Sequence, residues 1–250
     1  MQPAVAESTL AAPAESPPAQ ELCAAVSPGG TAPAIRRWVA FEDGAEVDPD
    51  DLVFDGPGVE AVAALCAGVV LAVGDEQRAG TLLAAGADCV FVGEAALFDS
   101  TVIDRLVAKH GAERIGIYAP LRRQSISWSF ETVSNADFKT VTPSHCEPAW
   151  EVIKADGSST GTLARWWLGA MRELGASRFM VQVDILDDTD LNLCAGLVEE
   201  LGDALLIGPL LESAPRLADW VAYGQCRQIV LPETAYAQRD SLLDAASESA

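Results

Sequence analysis

The stretch Gly68–Phe98, GVVLAVGDEQRAGTLLAAGADCVFVGEAALF, predicts a strand, a helix and a second strand. Gly68–Val73 is a continuous apolar run rich in β-branched residues, which is typical of a strand buried on both faces of a parallel sheet. Gln77–Ala85 is predicted to be a helix that ends at Gly86, because glycine readily adopts the left-handed conformation that closes helices. Cys89–Val92 is then a second buried strand.

The same unit recurs along the rest of the chain. Further strands are predicted at Ile35–Phe41, Leu52–Phe54, Ile115–Ala119, Phe179–Ile185, Ala204–Ile207 and Gln228–Leu231. Further helices are predicted at Val59–Leu65, Ser100–His110, Thr162–Leu174, Leu191–Leu201, Pro215–Tyr223 and Ser241–Ala246. Strands that alternate with helices in this way predict an α/β fold, a (β/α)₈ TIM barrel. A doubly wound open sheet is the alternative, although no GxGxxG motif follows any strand.

Two parts of the chain depart from this repeat. Roughly ten residues join the first two strands, which is too few for a crossover helix, so the first unit is predicted to be shortened. A long polar excursion between Pro120 and Thr160 contains two segments predicted to be extended, Ser125–Phe130 and Trp150–Lys154. Residues 1–33 are rich in Ala, Pro, Ser and Glu and are predicted to be a disordered tail. Residues 34–250 are predicted to be a single barrel domain.

The composition limits the classes of partner. The formal net charge is −21 and the chain has only three lysines, which disfavours nucleic acid and anionic membranes as partners. The six cysteines form no CxxC motif, and Cys66, Cys89 and Cys194 lie in or beside apolar runs, as reduced core thiols do. No apolar run is long enough to span a membrane, and the acidic N-terminus lacks the positive region of a signal peptide. We therefore expect a cytoplasmic protein that binds a small molecule at the carboxyl face of the barrel. Whether it forms a homo-oligomer or binds a protein partner is left open by the sequence.

Acidic residues follow nearly every predicted strand. In a barrel, the carboxyl ends of the strands form the mouth at which ligands bind. Grouped carboxylates there can share protons, hold a hard cation such as Mg²⁺, or bind an amine. Capping of helix N-termini is the alternative role, above all for Asp75, Asp187 and Glu212. The acids are Asp43, Asp55, Asp75, Glu94, Asp184, Asp187, Asp188, Glu212 and Glu233.

Positive charge near the mouth is concentrated in the excursion, at Arg122, Arg123 and Lys139. Arg122 and Arg123 are suited to clamp a phosphate or a carboxylate of a substrate. Pairing with the acidic rim is the alternative role for these arginines. His145 and Cys146 have no third ligand at metal spacing, so we expect no metal site of His and Cys ligands. We also expect no resident cofactor, with Mg²⁺ at the acidic mouth as the one exception considered.

Several motifs resemble those of the histidine-biosynthesis barrels (the HisA/HisF family), which are the phosphoribosyl isomerase and the cyclase subunit of imidazole glycerol phosphate synthase. The resemblance covers about residues 50–236 and implies the same barrel fold. The motifs are Ala84–Asp88 with Val92–Leu97 (AAGAD…VGEAAL), Trp150–Gly157 with Ser159–Gly161 (WEVIKADG…STG), Arg172–Ala176 (RELGA) and Val183–Asp188 (VDILDD).

The departures from that family exclude its reactions. The places of its two catalytic aspartates are occupied here by residues near Ala40 and by Tyr118–Pro120. The places of its phosphate-binding glycines read Gly74–Glu76 and Gly208–Glu212, where carboxylates repel a phosphate and a proline removes an NH donor. The chain more closely resembles divergent HisA/HisF-related barrels, some of which are associated with tetrahydromethanopterin-linked one-carbon metabolism.

Two functional hypotheses follow. The first is an isomerase or lyase of one-carbon or pterin-cofactor metabolism, with mouth carboxylates as general acid and base. Its catalytic residues would be Asp184, Glu94 and Asp188, and its substrate-binding residues would be Arg122, Arg123, Asp55 and Glu233. The second is a barrel without catalytic activity that serves as a binding or assembly subunit. The fold does not distinguish the two hypotheses.

Overall fold

The computed structural model describes residues 32–42, 46–124, 132–135, 138–141, 147–211 and 213–244. Within these residues the strands are β1 (Ala34–Ala40), β2 (Leu52–Phe54), β3 (Gly68–Leu71), β4 (Val90–Val92), β5 (Ile115–Arg123), β6 (Thr132–Asn135), β7 (Phe138–Val141), β8 (Trp150–Ile153), β9 (Ser159–Leu163), β10 (Arg178–Gln182), β11 (Leu205–Gly208) and β12 (Gln228–Pro232). The α-helices are α1 (Glu76–Ala84), α2 (Glu94–Phe98), α3 (Thr101–His110), α4 (Ala164–Glu173), α5 (Asp188–Leu201), α6 (Leu217–Ala222), α7 (Glu233–Tyr236) and α8 (Arg239–Asp244). Most of the predicted tail, residues 1–31, and the segment Ser125–Phe130 lie outside the described residues.

Eight parallel strands close into a barrel, as the sequence predicts. They pair in the order β1, β2, β3, β4, β5, β10, β11 and β12, and β12 pairs in parallel with β1. Trp38 of β1 illustrates the closure, since it pairs with Leu52 of β2 on one side and with Pro232 of β12 on the other. The closed parallel barrel excludes the doubly wound open sheet.

Burial on both faces explains why the strands are continuous apolar runs. One set of side chains fills the barrel interior: Leu52, Val70, Cys89, Phe91, Tyr118, Met180, Leu206 and Val230. The alternate residues face outward and pack against the helices, as Val69 and Leu71 of β3 do. Every residue of β3, β4 and β11 is buried. The period-two alternation of a strand therefore gives two apolar layers instead of one.

The first unit is short, as predicted. Residues 41–51 join β1 to β2, and β1 and β2 are nevertheless adjacent and parallel. The helix predicted at Val59–Leu65 is wrong in extent, because only Val59–Ala61 forms a 3₁₀ turn. Gly58, with φ of 84°, precedes that turn in a left-handed conformation, and the buried side chain of Val59 anchors the turn on the barrel.

An antiparallel extension of the barrel was not predicted from the sequence. β5 continues past Ala119 to Arg123 and pairs with β8, and β8 pairs with β9, both antiparallel. The helix predicted at Thr162–Leu174 therefore begins at Ala164, since Ser159–Leu163 belongs to β9. Pairing between strands outcompetes helix propensity here. β6 and β7 form a separate two-stranded hairpin.

The cysteines of the described core are free thiols, as the sequence predicts. Cys66, Cys89, Cys194 and Cys226 are all buried. Burial raises the pKa of Cys89, in the barrel interior, to about 12, and it also raises the pKa of Cys194. A thiol with a raised pKa is a poor nucleophile, so these cysteines serve as core residues. None of the helices in the described ranges combines the length and the apolar character that crossing a bilayer requires.

Candidate functional site at the barrel mouth

Aromatic side chains fill the interior at the carboxyl end of the barrel. The rings of Trp38 and Phe54 lie edge to face with centroids 5.1 Å apart, and Phe54 meets Tyr118 in the same way at 5.5 Å. The Tyr118 hydroxyl donates a 2.6 Å hydrogen bond to Oε1 of the buried Gln182. Burial raises the pKa of Tyr118, so the phenol stays neutral at physiological pH. The floor of the mouth is therefore aromatic and hydrogen-bonded.

A cavity of about 770 Å³ lies above this floor, between the ends of β5 and β10 and the β8–β9 turn. Tyr118 and Pro120 line its base, and Leu186 and Leu211 line its outer edge. Those two leucines are 69% and 85% exposed. The volume lies in the range of cavities that hold small organic ligands. We call it the mouth cavity.

Asp184 lies on the wall of the mouth cavity, two residues after β10. Its Oδ1 accepts hydrogen bonds from the backbone nitrogens of Leu210, at 3.1 Å, and Leu211, at 2.8 Å. The carboxylate therefore holds the loop that follows β11. This is the capping role that competes with catalysis for a strand-end acid.

Glu94 begins α2 and also holds a loop. Its Oε1 accepts a 2.8 Å hydrogen bond from the backbone nitrogen of Ala155, in the β8–β9 turn. Ala155 lines the mouth cavity, whereas Glu94 lines a separate small cavity beside it. Glu94 and Asp184 thus fasten two different loops of the mouth. Their catalytic assignment remains a prediction.

Arg123 forms an ion-pair cluster with Asp187, which caps the N-terminus of α5, and with Asp190 in the first turn of that helix. Its Nη1 lies 2.7 Å from Oδ1 of Asp187 and 3.0 Å from Oδ1 of Asp190. Asp187 also caps α5 by accepting from the backbone nitrogen of Asp190, and the bond from Arg123 holds the pKa of Asp187 below its usual range. Asp190 is 1% exposed and also accepts from the backbone nitrogen of Leu186. Arg123 therefore pairs with the acidic rim.

Asp55 forms a second ion-pair cluster, with Arg78 of α1. The guanidinium donates two hydrogen bonds to it, Nε to Oδ2 at 3.0 Å and Nη2 to Oδ1 at 2.6 Å. Arg78 also pairs with Glu60, and both acids raise its pKa. Asp75 caps α1 by accepting from the backbone nitrogen of Arg78 at 2.8 Å. The cluster fastens the loop after β2 to the start of α1.

The remaining predicted acids lie at the surface. Asp188 is exposed in the first turn of α5. Glu233 is exposed at the start of α7, and its Oε1 lies 3.5 Å from Nη1 of Arg37. Asp43 and Glu212 lie outside the described residues. The described members of the predicted set of acids therefore do not form one cluster. Among the described residues, no group of three or more His, Cys, Asp or Glu side chains could hold a metal ion.

Arg122 and Lys154 are the cations that line the mouth cavity together with Arg123. Arg122 is exposed, and its Nη1 donates to the carbonyl oxygen of Gly157 at 3.3 Å. The Lys154 ammonium lies 5.5 Å from the centre of the Phe98 ring. Within the described part of the chain, no salt bridge joins Arg122 or Lys154 to an acid.

Sequence reasoning did not assign the buried acid Glu151 to a role. Its side chain is 6% exposed in β8, and Oε1 accepts from the hydroxyl of Ser159 and from the backbone nitrogens of Thr160 and Gly161. Burial opposes ionisation of Glu151, but these hydrogen bonds outweigh burial and lower its pKa. A glutamate inside the apolar run WEVI predicts a buried carboxylate that accepts hydrogen bonds from the protein.

Sequence reasoning also missed the aromatic floor and Gln182. A glutamine at the end of the buried run FMVQ requires a hydrogen-bond partner, and this signal was available. Its partner, Tyr118, is 64 residues away, so the pair itself was not predictable from local pattern. No protein-family model matches the sequence. The chain is therefore classified by its barrel fold and not by a family.

Proposed function

We propose that this barrel is a binding subunit that holds a small molecule in the mouth cavity and does not use its mouth acids as general acid and base. One observation carries the proposal: Asp184 and Glu94, two of the three acids expected to be catalytic, each accept hydrogen bonds from the backbone of another loop. The third, Asp188, is exposed in the first turn of α5. A general base must reach the proton that it removes. Rotation of either carboxylate towards a ligand would release the loop that it holds.

The other reactive groups support the same proposal. The raised pKa of Tyr118 and its hydrogen bond to Gln182 disfavour acid–base chemistry by the phenol. Cys89 lies in the barrel interior with a raised pKa. The apolar edge at Leu186 and Leu211 suits an organic ligand that buries part of its surface.

The isomerase or lyase hypothesis remains the second candidate. Its supporting observation is that Asp184 lines the mouth cavity. Relationship to the HisA/HisF barrels is also a proposal, supported by the barrel fold and the motif order. A role in tetrahydromethanopterin-linked one-carbon metabolism rests on that resemblance alone.

Fluorescence titration with the neutral apolar dye N-phenyl-1-naphthylamine tests binding in the mouth cavity. We expect saturable binding to the full chain that Leu211→Asp weakens about tenfold, because a carboxylate replaces an apolar contact. Trp166→Gln is the control, since Trp166 is 70% exposed on α4 and does not line the mouth cavity. No saturable binding, or binding abolished by Trp166→Gln and unaffected by Leu211→Asp, contradicts the proposal.

Two further variants separate the binding subunit from the enzyme. Asp184→Asn and Glu94→Gln are expected to lower the melting temperature, while the dye affinity of the folded variants stays within about twofold. A loss of affinity without a loss of stability would show that the acids serve the ligand. That result would favour the isomerase or lyase.

A further inference from the structure

The acids around the mouth cavity are already bound within the protein. Asp190 accepts from Arg123 and from the backbone nitrogen of Leu186. Asp184 accepts from the backbone nitrogens of Leu210 and Leu211. Asp156, in the β8–β9 turn, accepts from the backbone nitrogen of Ser158 at 2.8 Å, and its hydrogen bonds from Ser158 lower its pKa. Each acid on the cavity wall therefore already accepts hydrogen bonds from the protein, and Asp190 also pairs with a cation.

The neighbouring arginines of β5 differ in this respect. Arg123 contacts two carboxylates, at 2.7 Å and 3.0 Å. Arg122 has one hydrogen bond, to the neutral carbonyl of Gly157. The acid opposite it in the strand ladder is Glu151, whose Oε1 accepts hydrogen bonds from Ser159, Thr160 and Gly161 and whose pKa the charge of Arg122 also lowers, without a salt bridge between the two side chains. Arg122 therefore retains guanidinium donors that can face a ligand.

Lys154 brings a second positive charge to the same cavity. It follows β8, and its backbone nitrogen donates to the carbonyl oxygen of Ser158 in the turn at 3.0 Å, which fixes the position of its Cα. Its ammonium has an aromatic ring, Phe98, as its neighbour. Arg122 of β5 and Lys154, which follows the neighbouring antiparallel strand β8, thus both border the cavity, in a chain whose formal net charge is −21. The cavity lining also holds Asp156, Asp184 and Asp190, so attraction of an anion rests on the two cations that form no salt bridge within the described residues, Arg122 and Lys154.

From these charges we propose that the ligand of the mouth cavity is an organic carboxylate or sulfonate, whose anionic group binds Arg122 and Lys154 and whose apolar body contacts Leu186 and Leu211. A planar guanidinium binds such oxyanions with two parallel hydrogen bonds. The inference rests on the proposed function, because it names the ligand class of the same cavity.

Two dyes that share an apolar body but differ in charge measure the contribution of the anionic group to binding. 1-Anilinonaphthalene-8-sulfonate carries a sulfonate, whereas N-phenyl-1-naphthylamine is neutral. We expect Arg122→Gln to weaken binding of the sulfonate about tenfold and Lys154→Gln to weaken it about threefold. Both variants should leave the affinity for the neutral dye within about twofold, and added salt should weaken only the anionic dye.

Arg165→Gln is the charge-matched control. Arg165 is on α4, pairs with Glu200 at 2.7 Å and does not line the mouth cavity. It should change neither affinity. Melting temperatures of the variants confirm that each remains folded, which is expected because Arg122 is exposed.

The outcomes separate the inference from the proposed function. If the neutral dye binds in the cavity and neither Arg122→Gln nor Lys154→Gln weakens the anionic dye, the anionic ligand class is wrong and the binding subunit stands. An equal effect of Arg165→Gln would also overturn the inference, since it would show a general response to net charge. If neither dye binds, both the inference and the proposed function fail.

Discussion

Oδ1 of Asp184 lies 2.8 Å from the backbone nitrogen of Leu211 and accepts its hydrogen bond. Together with the bond from Leu210, this contact joins the end of β10 to the loop after β11. Asp184→Asn should therefore lower the free energy of unfolding by about 1 kcal/mol, because the charge-assisted bonds become neutral ones. Asp184→Ala should cost about 2 kcal/mol, because it removes the acceptor. Denaturant melts at neutral pH measure both.

Asp188→Asn is the control for that prediction. Asp188 is exposed in the first turn of α5, so its neutralisation should change the free energy of unfolding by less than about 0.5 kcal/mol. We expect Mg²⁺ to leave the melts of the wild type and of the three variants unchanged. Stabilisation by Asp184→Asn, or a rise in wild-type stability with Mg²⁺, would instead indicate repulsion among carboxylates in a site kept for chemistry.

Glu94→Ala should release the β8–β9 turn. The variant removes the acceptor of the Ala155 backbone nitrogen and is expected to lower the free energy of unfolding by about 1 kcal/mol. Amide hydrogen exchange should speed up at Ala155. Glu173→Ala, at an exposed acid of α4, should leave exchange in the turn unaltered. Unchanged exchange at Ala155 in Glu94→Ala would show that this contact does not hold the turn.

The contribution of Glu151 should depend on pH in a defined direction. Its folded-state pKa is below its usual value, so the stability that it contributes is fully present above the unfolded-state pKa of about 4.3 and is lost as the pH falls through the folded-state pKa. Glu151→Gln should cost about 1–2 kcal/mol at pH 7, and the difference from wild type should shrink below about pH 4.

Urea melts across the acidic range measure that difference, with Glu113→Gln as the exposed control. A difference that stays constant from pH 7 to acidic pH would mean that the carboxylate charge does not contribute. The loss of stability in Glu151→Gln would then arise from the packing of the amide side chain.

Phosphoribosyl intermediates of the histidine pathway should not bind. The resemblance places phosphate-binding loops after the third and seventh barrel strands. Here Asp75 caps α1 after β3, and Asp184 already accepts the NH groups of Leu210 and Leu211 after β11. A phosphate would compete with a carboxylate for those donors. Isothermal calorimetry with the isomerase substrate should detect no heat of binding, and micromolar affinity would contradict the expectation.

Part of the candidate site was predictable from the sequence. Asp75 and Asp187 follow the rule that an acid before a helix caps its N-terminus, and each accepts from the backbone three residues on. Pairing of Arg123 with the acidic rim was one of two alternatives for that residue, and Arg123 does contact Asp187 and Asp190. Its substrate-binding role stays a prediction. Asp184 and Glu94 were expected near the mouth, and the sequence alone left open whether they would face a ligand or a loop.

Local sequence pattern by itself determined the barrel. Burial on two faces requires continuous apolar strands, and a helix returns the chain after each strand. Both patterns can be recognised within about thirty residues. Only the tertiary structure decided the role of each polar residue at the mouth. The partner of Asp184 is 27 residues away in Leu211, that of Glu94 is 61 residues away in Ala155, and that of Arg123 is 64 residues away in Asp187. A carboxylate is bound by whichever donor the closed barrel brings within about 3 Å, and no local pattern encodes that distance.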